Sequence, residues 1–509
     1  WAKYRCNTFG VGRGTVSHFE SKMRLTGGNA DLCVPARPGS EGAFALGLAN
    51  YILMTSPAAG NSLSSDLKTH IASFDMGTVS KLTGTSEDYI KRVGDALINR
   101  SPSLVLAGAP VEGHEHGYDA VAAVMLLNVM LGNIGKTIQP SSPSPFTQLA
   151  AGQGSTRDLV EFSKAVTANE FDVVFFSGAN PVFTAPESLG LTKSLENTGF
   201  KVAISMFPDE TTMQADLVLP LASYIEDWGT HVPAYQYDGN VLSIQQPLME
   251  KLYSGTKGLG DILLDLLKDK NPGQYGAYKD YYAYLQDAVK TMQGSSSVKG
   301  RDASNKNFWN STLQAGLINI EGGNKKLALN NVDIKVPGST SDSDYPYYLV
   351  PSPRMGLFDG RHANLPWLQE SPDQIAKIAW KSWVEIHPST AKKLGVERGD
   401  IIELSSEAGS IEAEVYVMKS IHPDAIAVPL GQGHEEYGRY AKGLGVNPLK
   451  ILTAKTDRKT GELAMYATRI KAKATGRSEF VRMRGNTTQG GRKFVRTINV
   501  DLLKRTEGA

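Results

Sequence analysis

Short apolar runs alternate with helical patterns from residue 103 to about residue 220. Runs that end in small residues or proline predict buried strands at Ser103–Pro110, Phe171–Pro181 and Lys201–Pro208. Apolar residues at helical spacing predict helices at Tyr118–Gly132 and Asp158–Asn169. Strand–helix–strand alternation of this kind predicts a parallel sheet that is covered on both faces. Ligands of such sheets bind beyond the C-terminal ends of the strands, so the turn that closes the second strand is the first candidate site.

The pattern changes twice further along the chain. Residues Ser254–Asp344 are rich in Gly, Asn, Ser and Lys, which predicts an irregular connection. From Tyr345 short strand patterns are separated by turns, and a hairpin-like pair is formed by Val396–Leu404 and Gly409–Val417. This pattern predicts an antiparallel β domain, most simply a barrel. The segment Lys471–Arg505 is locally basic, which favours a solvated surface extension over a contact surface for a partner.

Charge and cysteine content narrow the class of protein. The 509 residues contain 53 Lys and Arg against 52 Asp and Glu, a formal charge of +1, which gives no reason to expect nucleic acid or an anionic membrane as a partner. Cys6 and Cys33 are the two cysteines of the sequence. An iron–sulfur cluster or an all-cysteine zinc site needs about four ligands, so we expect any such centre on another chain.

The two longest apolar runs are too short to cross a membrane. Ala43–Met54 and Ala120–Leu131 have about a dozen residues each, against the roughly 20 that a spanning helix needs. They therefore predict buried core helices and no membrane span. The first residue is Trp1 and its neighbours contain no targeting pattern, so we expect the natural N-terminus to lie further upstream.

Two short motifs offer candidate chemistry. His114 and His116 flank a carboxylate in GHEHG, but this spacing lacks the pattern of a zinc helix and favours a polar loop over a metal site. SGANPVFTAPE (Ser177–Glu187) follows a predicted strand and is able to present backbone N–H groups and an amide to a phosphate, ribose or purine. Without a G-x-G-x-x-G pattern, this segment favours a ligand loop and an ordinary turn equally.

Three further segments are polar enough to contact a ligand. Asp209–His231 begins with acids that suit a helix start, so a cap followed by an edge strand is the simplest interpretation of that segment alone. Two glycine-rich loops, Pro353–Glu370 and Gly431–Pro448, suit an anionic polar ligand because they carry Arg354, Arg361, His362, His434, Arg439 and Asn447. Taken singly, such loop residues are more often structural. The sequence contains no Ser–His–Asp elbow, Walker loop or paired-carboxylate signature.

The order of these segments resembles that of the molybdopterin oxidoreductase (dimethyl sulfoxide reductase) family. ADLCVPARPGSEGAFALGLANYIL (Ala30–Leu53) is similar to the family's AD…PGTDGALALA passage, and SGANPVFTAPE to its G-x-N-P nucleotide loop. DETTMQADLVLPLASYIEDWGT is similar to its T…ADVVLP…E…G-T passage. The segment from His387 to Val417, together with the GQGH and GVNPL segments, resembles its C-terminal domain. The resemblance covers nearly the whole chain in order.

This resemblance implies an α/β fold in which parallel-sheet, Rossmann-like domains precede a C-terminal double-psi β-barrel domain. The expected divisions are a remnant of the family's central α/β domain (1–100), a Rossmann-like domain with the nucleotide loop (101–253), the irregular connection (254–344), the barrel (345–470) and the basic tail (471–509).

The resemblance also implies cofactor contacts, which apply only if the pterin cleft is occupied. Those on the guanosine side of one pterin would be Gly178, Asn180 and Pro181, and the same half would contain Asp209, Glu226, Gly229 and Thr230. Those facing the second pterin from the barrel would be Arg354, His362, Gly431, His434 and Asn447. The family's cysteine-ligated iron–sulfur module and the segment with the molybdenum ligand have no counterpart in the sequence. We therefore expect no catalytic residue and no metal ligand in this chain.

Within the family, the segments from Asn180 and from Glu226 most resemble the molybdopterin-like subunits of alternative complex III and of the menaquinone reductase complex. That group implies a subunit without its own molybdenum cofactor, with molybdopterin guanine dinucleotide as the cofactor to consider. The implied partners are an iron–sulfur subunit, a multihaem cytochrome c and quinone-binding integral membrane subunits, on the periplasmic side of the membrane. Iron–sulfur clusters and haem would lie on those partners.

Two other functions stay open. One is a catalytic molybdenum or tungsten reductase, similar to polysulfide or thiosulfate reductase, whose N-terminal iron–sulfur part lies elsewhere. The other is a small-molecule enzyme that shares only the nucleotide-binding sheet, which the in-order match to the barrel motifs disfavours.

Overall fold

The computed structural model describes residues 14–139, 154–232, 240–293, 307–320, 333–336 and 342–479. Cys6 and the tail beyond residue 479 lie outside these residues. Within the described part of the chain, each helix is too short or too polar to cross a bilayer.

The N-terminal unit is a layer of helices beside a small parallel sheet. Its strands are β1 (Ser17–Glu20) and β2 (Leu32–Pro35), and its helices are α1 (Leu25–Gly28), α2 (Glu41–Thr55), α3 (Ser65–Ala72), α4 (Met76–Thr83), α5 (Glu87–Asn99), α6 (Ala109–Glu112) and α7 (Gly117–Met130). Helix α2 is buried along most of its length and packs against α4, α5 and α7. A Cβ atom on Gly47 would lie 2.6 Å from Val79, so glycine permits this close packing. The two predicted core helices are thereby confirmed.

The predicted strand Ser103–Pro110 was wrong. Residues 103 to 108 form neither helix nor strand and pair with no strand among the described residues, and α6 begins at Ala109. Both backbone polar groups of Val105 bond the side chain of Asn128 on α7, at 3.0 Å to the N–H and 2.8 Å to the carbonyl. A β-strand forms when its backbone groups bond to a neighbouring strand. Here the Asn128 side chain bonds to the backbone groups of Val105 instead.

The second unit is a three-stranded parallel sheet with helices on one face. Its elements are α8 (Thr156–Thr167), β3 (Val173–Ser177), α9 (Pro181–Thr184), α10 (Leu191–Leu195), β4 (Phe200–Ser205) and β5 (Leu217–Pro220), in the strand order β3–β4–β5. Val174 and Phe176 point from β3 into a cluster with Val166 on α8 and Leu195 on α10. The two predicted strands and the helix in this region are confirmed.

The third unit corrects the description of Ser254–Asp344 as irregular. It contains β6 (Gly229–His231), β7 (Asn240–Gln245), α11 (Leu259–Lys270), α12 (Pro272–Tyr275), α13 (Tyr281–Gln293), α14 (Phe308–Ala315) and β8 (Leu317–Ile320), and the strands form an antiparallel sheet. Leu285 and Val289 of α13 and Phe308 of α14 bury their side chains against Leu242 and Ile318 of that sheet. The polar composition of the segment concealed this amphipathic packing.

The C-terminal unit is a closed barrel. Its elements are β9 (Tyr347–Ser352), α15 (Pro366–Glu370), β10 (Trp383–Ile386), α16 (Pro388–Leu394), β11 (Asp400–Ser406), β12 (Gly409–Val417), β13 (Ala425–Pro429) and β14 (Arg469–Ser478). The strands close in the order β10–β12–β11–β14–β9–β13, with β10–β12 and β9–β13 parallel and the other neighbours antiparallel. The predicted hairpin is β11–β12, and the predicted α/β fold with a C-terminal barrel is confirmed.

Strand β14 continues past the expected end of the barrel at residue 470. Lys471 and Lys473 pair with β11, so this part of the basic segment is a barrel strand rather than a tail. The alternation of lysine with small apolar residues fits a strand with one face towards the barrel core.

A buried ion pair joins the N-terminal unit to the barrel. Nζ of Lys22 lies 2.7 Å from Oε2 of Glu385 on β10, and both side chains are buried. Backbone bonds on either side of Lys22, from Met23 N to Ser420 O and from His422 N to Ser21 O, hold the same contact in register.

Candidate functional site

The loop after β3 lies at the C-terminal edge of the parallel sheet, where the sequence predicted a ligand. Gly178 has φ of +65° and a free space around it, and Pro181 begins α9. Oδ1 of Asn180 accepts from Thr211 N at 3.1 Å and from Thr211 Oγ1 at 2.7 Å. Nδ2 of Asn180 donates to Glu210 at 2.6 Å. Asn180 thus joins the loops that follow β3 and β4.

Glu210 connects this sheet edge to the barrel. Its carboxylate accepts from Nδ1 of His434 at 3.0 Å and from the backbone N–H groups of Glu435 and Glu436 at 2.8 Å and 3.1 Å. Burial acts to raise the pKa of Glu210, but hydrogen bonds from His434 and Asn180 outweigh it and lower that pKa to about 2. Glu210 is therefore a buried, ionised group that binds both halves of the predicted cleft.

His434 is enclosed on all sides. Its ring stacks on Phe183 with a centroid separation of 3.7 Å and on Tyr437 at 4.8 Å. Nδ1 faces the Glu210 carboxylate, and Nε2 lies 3.1 Å from the carbonyl oxygen of Gly360. Each ring nitrogen of His434 therefore faces an oxygen atom of the protein. We call Asn180, Glu210 and His434 the clasp.

Asn447 strengthens the same joint from the barrel side. Its Nδ2 donates to the carbonyl oxygen of Phe183 at 2.8 Å, and its Oδ1 accepts from Leu449 N at 3.0 Å. The glycine-rich loop packs directly on this region, since a Cβ on Gly433 would lie 2.2 Å from Asn447 N. Gly431 packs likewise, because its Cβ would lie 2.6 Å from Leu357. Glycine at these two positions allows the loop to pack closely against Asn447 and Leu357.

Arg354 has its hydrogen-bond partners outside the clasp. The guanidinium of Arg354 is buried, donates to the carbonyl oxygens of Ser371 and Ile378, and lies 5.7 Å from the centre of the Trp383 ring. Its Nη1 is buried without a hydrogen-bond partner among the described residues. His362 is exposed on the loop that follows.

The remaining predicted contacts have local structural roles. Asp209 accepts from Thr212 N at 2.8 Å, and burial raises the pKa of its carboxyl group. Glu226 accepts from Ser223 N at 3.1 Å and from Leu252 N at 3.0 Å, which fixes a turn. Gly229 and Thr230 belong to β6 and pair with β7. The structure therefore brings Asn180, His434 and Asn447 together, and Asp209 lies beside them, next to Glu210 and near Tyr437. Glu226, Gly229 and Thr230 instead bond within the turn and the antiparallel sheet that follow β5.

The residues that organise the clasp were not predicted from the sequence. Glu210 was considered only as a helix start, and neither Phe183 nor Tyr437 was singled out. The one available signal was a pair of adjacent acids, Asp209 and Glu210, placed directly after a buried strand. An acid at that position either caps a helix or bonds to a side chain elsewhere in the chain. Here Glu210 bonds to His434, which lies 224 residues away in sequence.

The two histidines of GHEHG point to different partners. Nε2 of His114 lies 3.8 Å from Glu41, and its ring contacts Tyr466. His116 instead lies 3.5 Å from Asp119 on α7. A search of the described residues finds no cluster of three or more His, Cys, Asp or Glu side chains arranged to hold a metal.

The side chains of the clasp do not fit a dinucleotide as they are arranged. The amide atoms of Asn180 and Asn447 and both ring nitrogens of His434 are already bonded within the protein. A ligand that used these groups would first have to break the buried hydrogen bonds of Glu210, which is costly. Gly178 keeps open space around it and His362 is exposed.

A parallel α/β sheet whose loops close onto a six-stranded mixed barrel defines the class of the protein, and sequence comparisons agree with it. The sequence model of the molybdopterin oxidoreductase matches residues 22–236, and that of the molydopterin dinucleotide binding domain matches residues 367–468. The chain belongs to the molybdopterin oxidoreductase family.

Individual relatives come from different branches of that family. The chain is 25% identical over 448 residues to the molybdopterin-binding-like subunit of menaquinone reductase from Nitratidesulfovibrio vulgaris, covering 86% of this chain and 62% of the relative. It is 22% identical to the assimilatory nitrate reductase catalytic subunit of Bacillus subtilis, covering 79% of this chain and 63% of the relative. The chain thus spans less than two thirds of the length of these two proteins.

Among solved structures, acetylene hydratase from Pelobacter acetylenicus matches with a TM-score of 0.69 at 15% identity, over 90% of this chain and 74% of that protein. At this identity the match supports the fold alone.

Proposed function

We propose that this chain is a structural subunit of a membrane-attached, quinone-linked electron-transfer complex, and that it holds no molybdenum cofactor of its own. The observation that carries the proposal is the clasp. Two residues that the family resemblance assigned to opposite pterins, Asn180 and His434, are bound to the same carboxylate of Glu210. The residues expected to bind the cofactor are bonded to Glu210 instead. This arrangement suits a structural subunit rather than one that performs redox chemistry.

The similarity to a menaquinone reductase subunit supports membership of a multisubunit complex. On this proposal the redox centres lie on partner chains: an iron–sulfur subunit, a multihaem cytochrome c and quinone-binding membrane subunits. The complex would face the periplasm. The chain would act as the body on which these partners assemble.

The experiment is a comparison of Asn180→Ala and wild type in the native complex. We expect quinol-driven electron transfer, normalised to assembled complex on native gels, to stay within a few-fold of wild type. Glu161→Ala, an exposed change on α8, is the matched control. Loss of electron transfer with assembly intact would place Asn180 in a working cofactor site and overturn the proposal.

A second candidate function is a catalytic molybdenum or tungsten reductase subunit whose remaining part lies on another polypeptide. The observation that favours it is the buried Nη1 of Arg354, which has no partner among the described residues and suits an anionic group. Similarity to the Bacillus subtilis nitrate reductase catalytic subunit points in the same direction. In that case Arg354→Ala would abolish reductase activity while the complex stays assembled.

A further inference from the structure

One face of the parallel sheet β3–β4–β5 is apolar and open to solvent. Side chains that are paired across parallel strands point to the same side of a sheet, so Val173 and Phe200 share a face with the row Phe175–Val202–Leu217. Val202 is buried between its neighbours on the two flanking strands. The other four side chains are 42% to 52% exposed. We call Val173, Phe175, Phe200 and Leu217 the open face.

The opposite side of the same sheet is covered. Val174 and Phe176 point from β3 into a cluster with residues of α8 and α10. Among the described residues, no hydrophobic cluster includes a member of the open face. Parallel sheets occur almost only with both faces covered, and a contiguous apolar patch marks a contact surface. The open face is therefore expected to have a cover.

The direction of the chain explains why its helices lie on one side of the sheet. The strands β3, β4 and β5 are added in one direction across it. Because crossovers are right-handed, connections that run in one direction place their helices on one face, and connections that run in the opposite direction place theirs on the other face. The described residues of this sheet contain connections of the first kind alone. Since a crossover joins two strands of one polypeptide, we expect a helix on the open face to belong to the same polypeptide.

The two curated relatives named above are long enough to contain such a cover. The chain covers 62% and 63% of their lengths, so more than a third of each relative lies outside the matched part. That length is further polypeptide of the same protein rather than of a partner subunit.

We propose that an amphipathic helix of the same polypeptide, from outside the 509 residues, packs on the open face. The side of that helix that meets the sheet carries apolar residues spaced three and four apart. The inference does not depend on the proposed function, because a structural subunit and a catalytic subunit would need the same cover.

The rate at which a maleimide labels an introduced cysteine tests this cover. Phe175→Cys is compared with Glu161→Cys, at an exposed position on α8, in the full-length natural protein. Peptide mass spectrometry separates these sites from the native cysteines. We expect Phe175→Cys to react about tenfold more slowly than Glu161→Cys or slower still, both in the native complex and in the full-length protein freed of its partners. Leu217→Cys, on the other side of the open face, replaces Phe175→Cys if that variant does not fold.

Three results would overturn the inference. Equal labelling rates in both preparations would show that the face is uncovered. Protection in the complex alone would assign the face to a partner subunit, and protection that depends on protein concentration would assign it to a second copy of the chain.

Photo-crosslinking identifies the covering segment. A photoreactive residue at Phe175 of the full-length protein should link to one segment outside the 509 residues without joining two chains on a denaturing gel. A link to another chain, or to a segment within the 509 residues, would contradict the proposal. If the natural polypeptide has no residues beyond these 509, the inference fails while the proposed function stands.

Discussion

The carboxylate of Glu210 lies 3.0 Å from Nδ1 of His434, although 224 residues separate them in sequence. One belongs to the loop after a strand of the parallel sheet and the other to the glycine-rich loop of the barrel. Asn180 and two backbone N–H groups bind the same carboxylate. This single buried charge therefore holds together the two halves that the family resemblance assigned to a shared cofactor.

Removing the carboxylate should destabilise the fold strongly. Glu210→Ala removes the acceptor that His434, Asn180 and two backbone N–H groups share. Each buried donor left without a partner costs about 1–3 kcal/mol. The measurement is the free energy of unfolding in urea. Glu161→Ala, which removes an exposed partner of Lys164, is expected to cost less than about 0.5 kcal/mol. Equal losses of stability in the two variants would contradict the role of Glu210 in joining the sheet to the barrel.

The same carboxylate should make the protein sensitive to acid. Its pKa is lowered from 4.5 to about 2 in the folded state, so its contribution is complete above pH 4.5 and disappears as the pH falls through 2. That contribution is about 3 kcal/mol. Comparing unfolding free energies of wild type and Glu210→Gln from pH 5 to pH 2 should show a steeper acid loss in wild type. Parallel curves would show that Glu210 titrates normally.

A second buried pair should produce opposite pH slopes. Burial raises the pKa of Glu41 from 4.5 to about 7, so stability from this group falls as the pH rises between those values. Burial lowers the pKa of His114 from 6.5 to about 4, so stability from that group rises as the pH rises between 4 and 6.5. In wild type the two slopes oppose each other.

Single substitutions should therefore expose one slope each. Glu41→Gln should gain stability from pH 4.5 to 6.5, and His114→Gln should lose it over the same range, each by about 3 kcal/mol. Urea midpoints measured at half-unit steps of pH check this. Two variants with the same slope as wild type would refute the assignment.

The Lys22–Glu385 pair should couple the N-terminal unit to the barrel. Lys22→Met leaves the Glu385 charge buried and alone, at a cost of about 3–5 kcal/mol, and Glu385→Gln has a similar cost for the lysine. The double change removes both charges and keeps an acceptor for Trp383 Nε1, so much of the loss should be recovered. A double-mutant cycle measures the coupling, and strictly additive losses would count against it.

Elements with strong local patterns were predictable from the sequence. The runs at β3 and β4, the helix α8 and the hairpin β11–β12 each carry their own periodicity, so tertiary context was not needed to find them. Leu104 and Leu106 show the limit of such reasoning. Their run has strand chemistry, but a strand exists only when another strand bonds its edge, and Asn128 occupies one edge instead.

The sequence predicted some residues of the candidate site, but it did not predict the hydrogen bonds between them. Asn180 and His434 were identified through the family resemblance, and they do meet in space. Glu210, which joins them, lies in a segment where an adjacent acid and two threonines equally suit a helix cap. Only the folded structure shows that Glu210 bonds to the glycine-rich loop of the barrel and does not cap a helix.

Metal and pterin analysis of the purified native complex addresses the function of the cleft itself. Molybdenum and tungsten would be quantified by mass spectrometry, and pterin by its fluorescent oxidation product, each against the amount of this chain. A joint closed by Glu210 predicts neither metal nor pterin in stoichiometric amount, with iron and haem still present on the partners. Stoichiometric molybdenum or tungsten with pterin would contradict that prediction and make Asn180 and His434 part of a working reductase site.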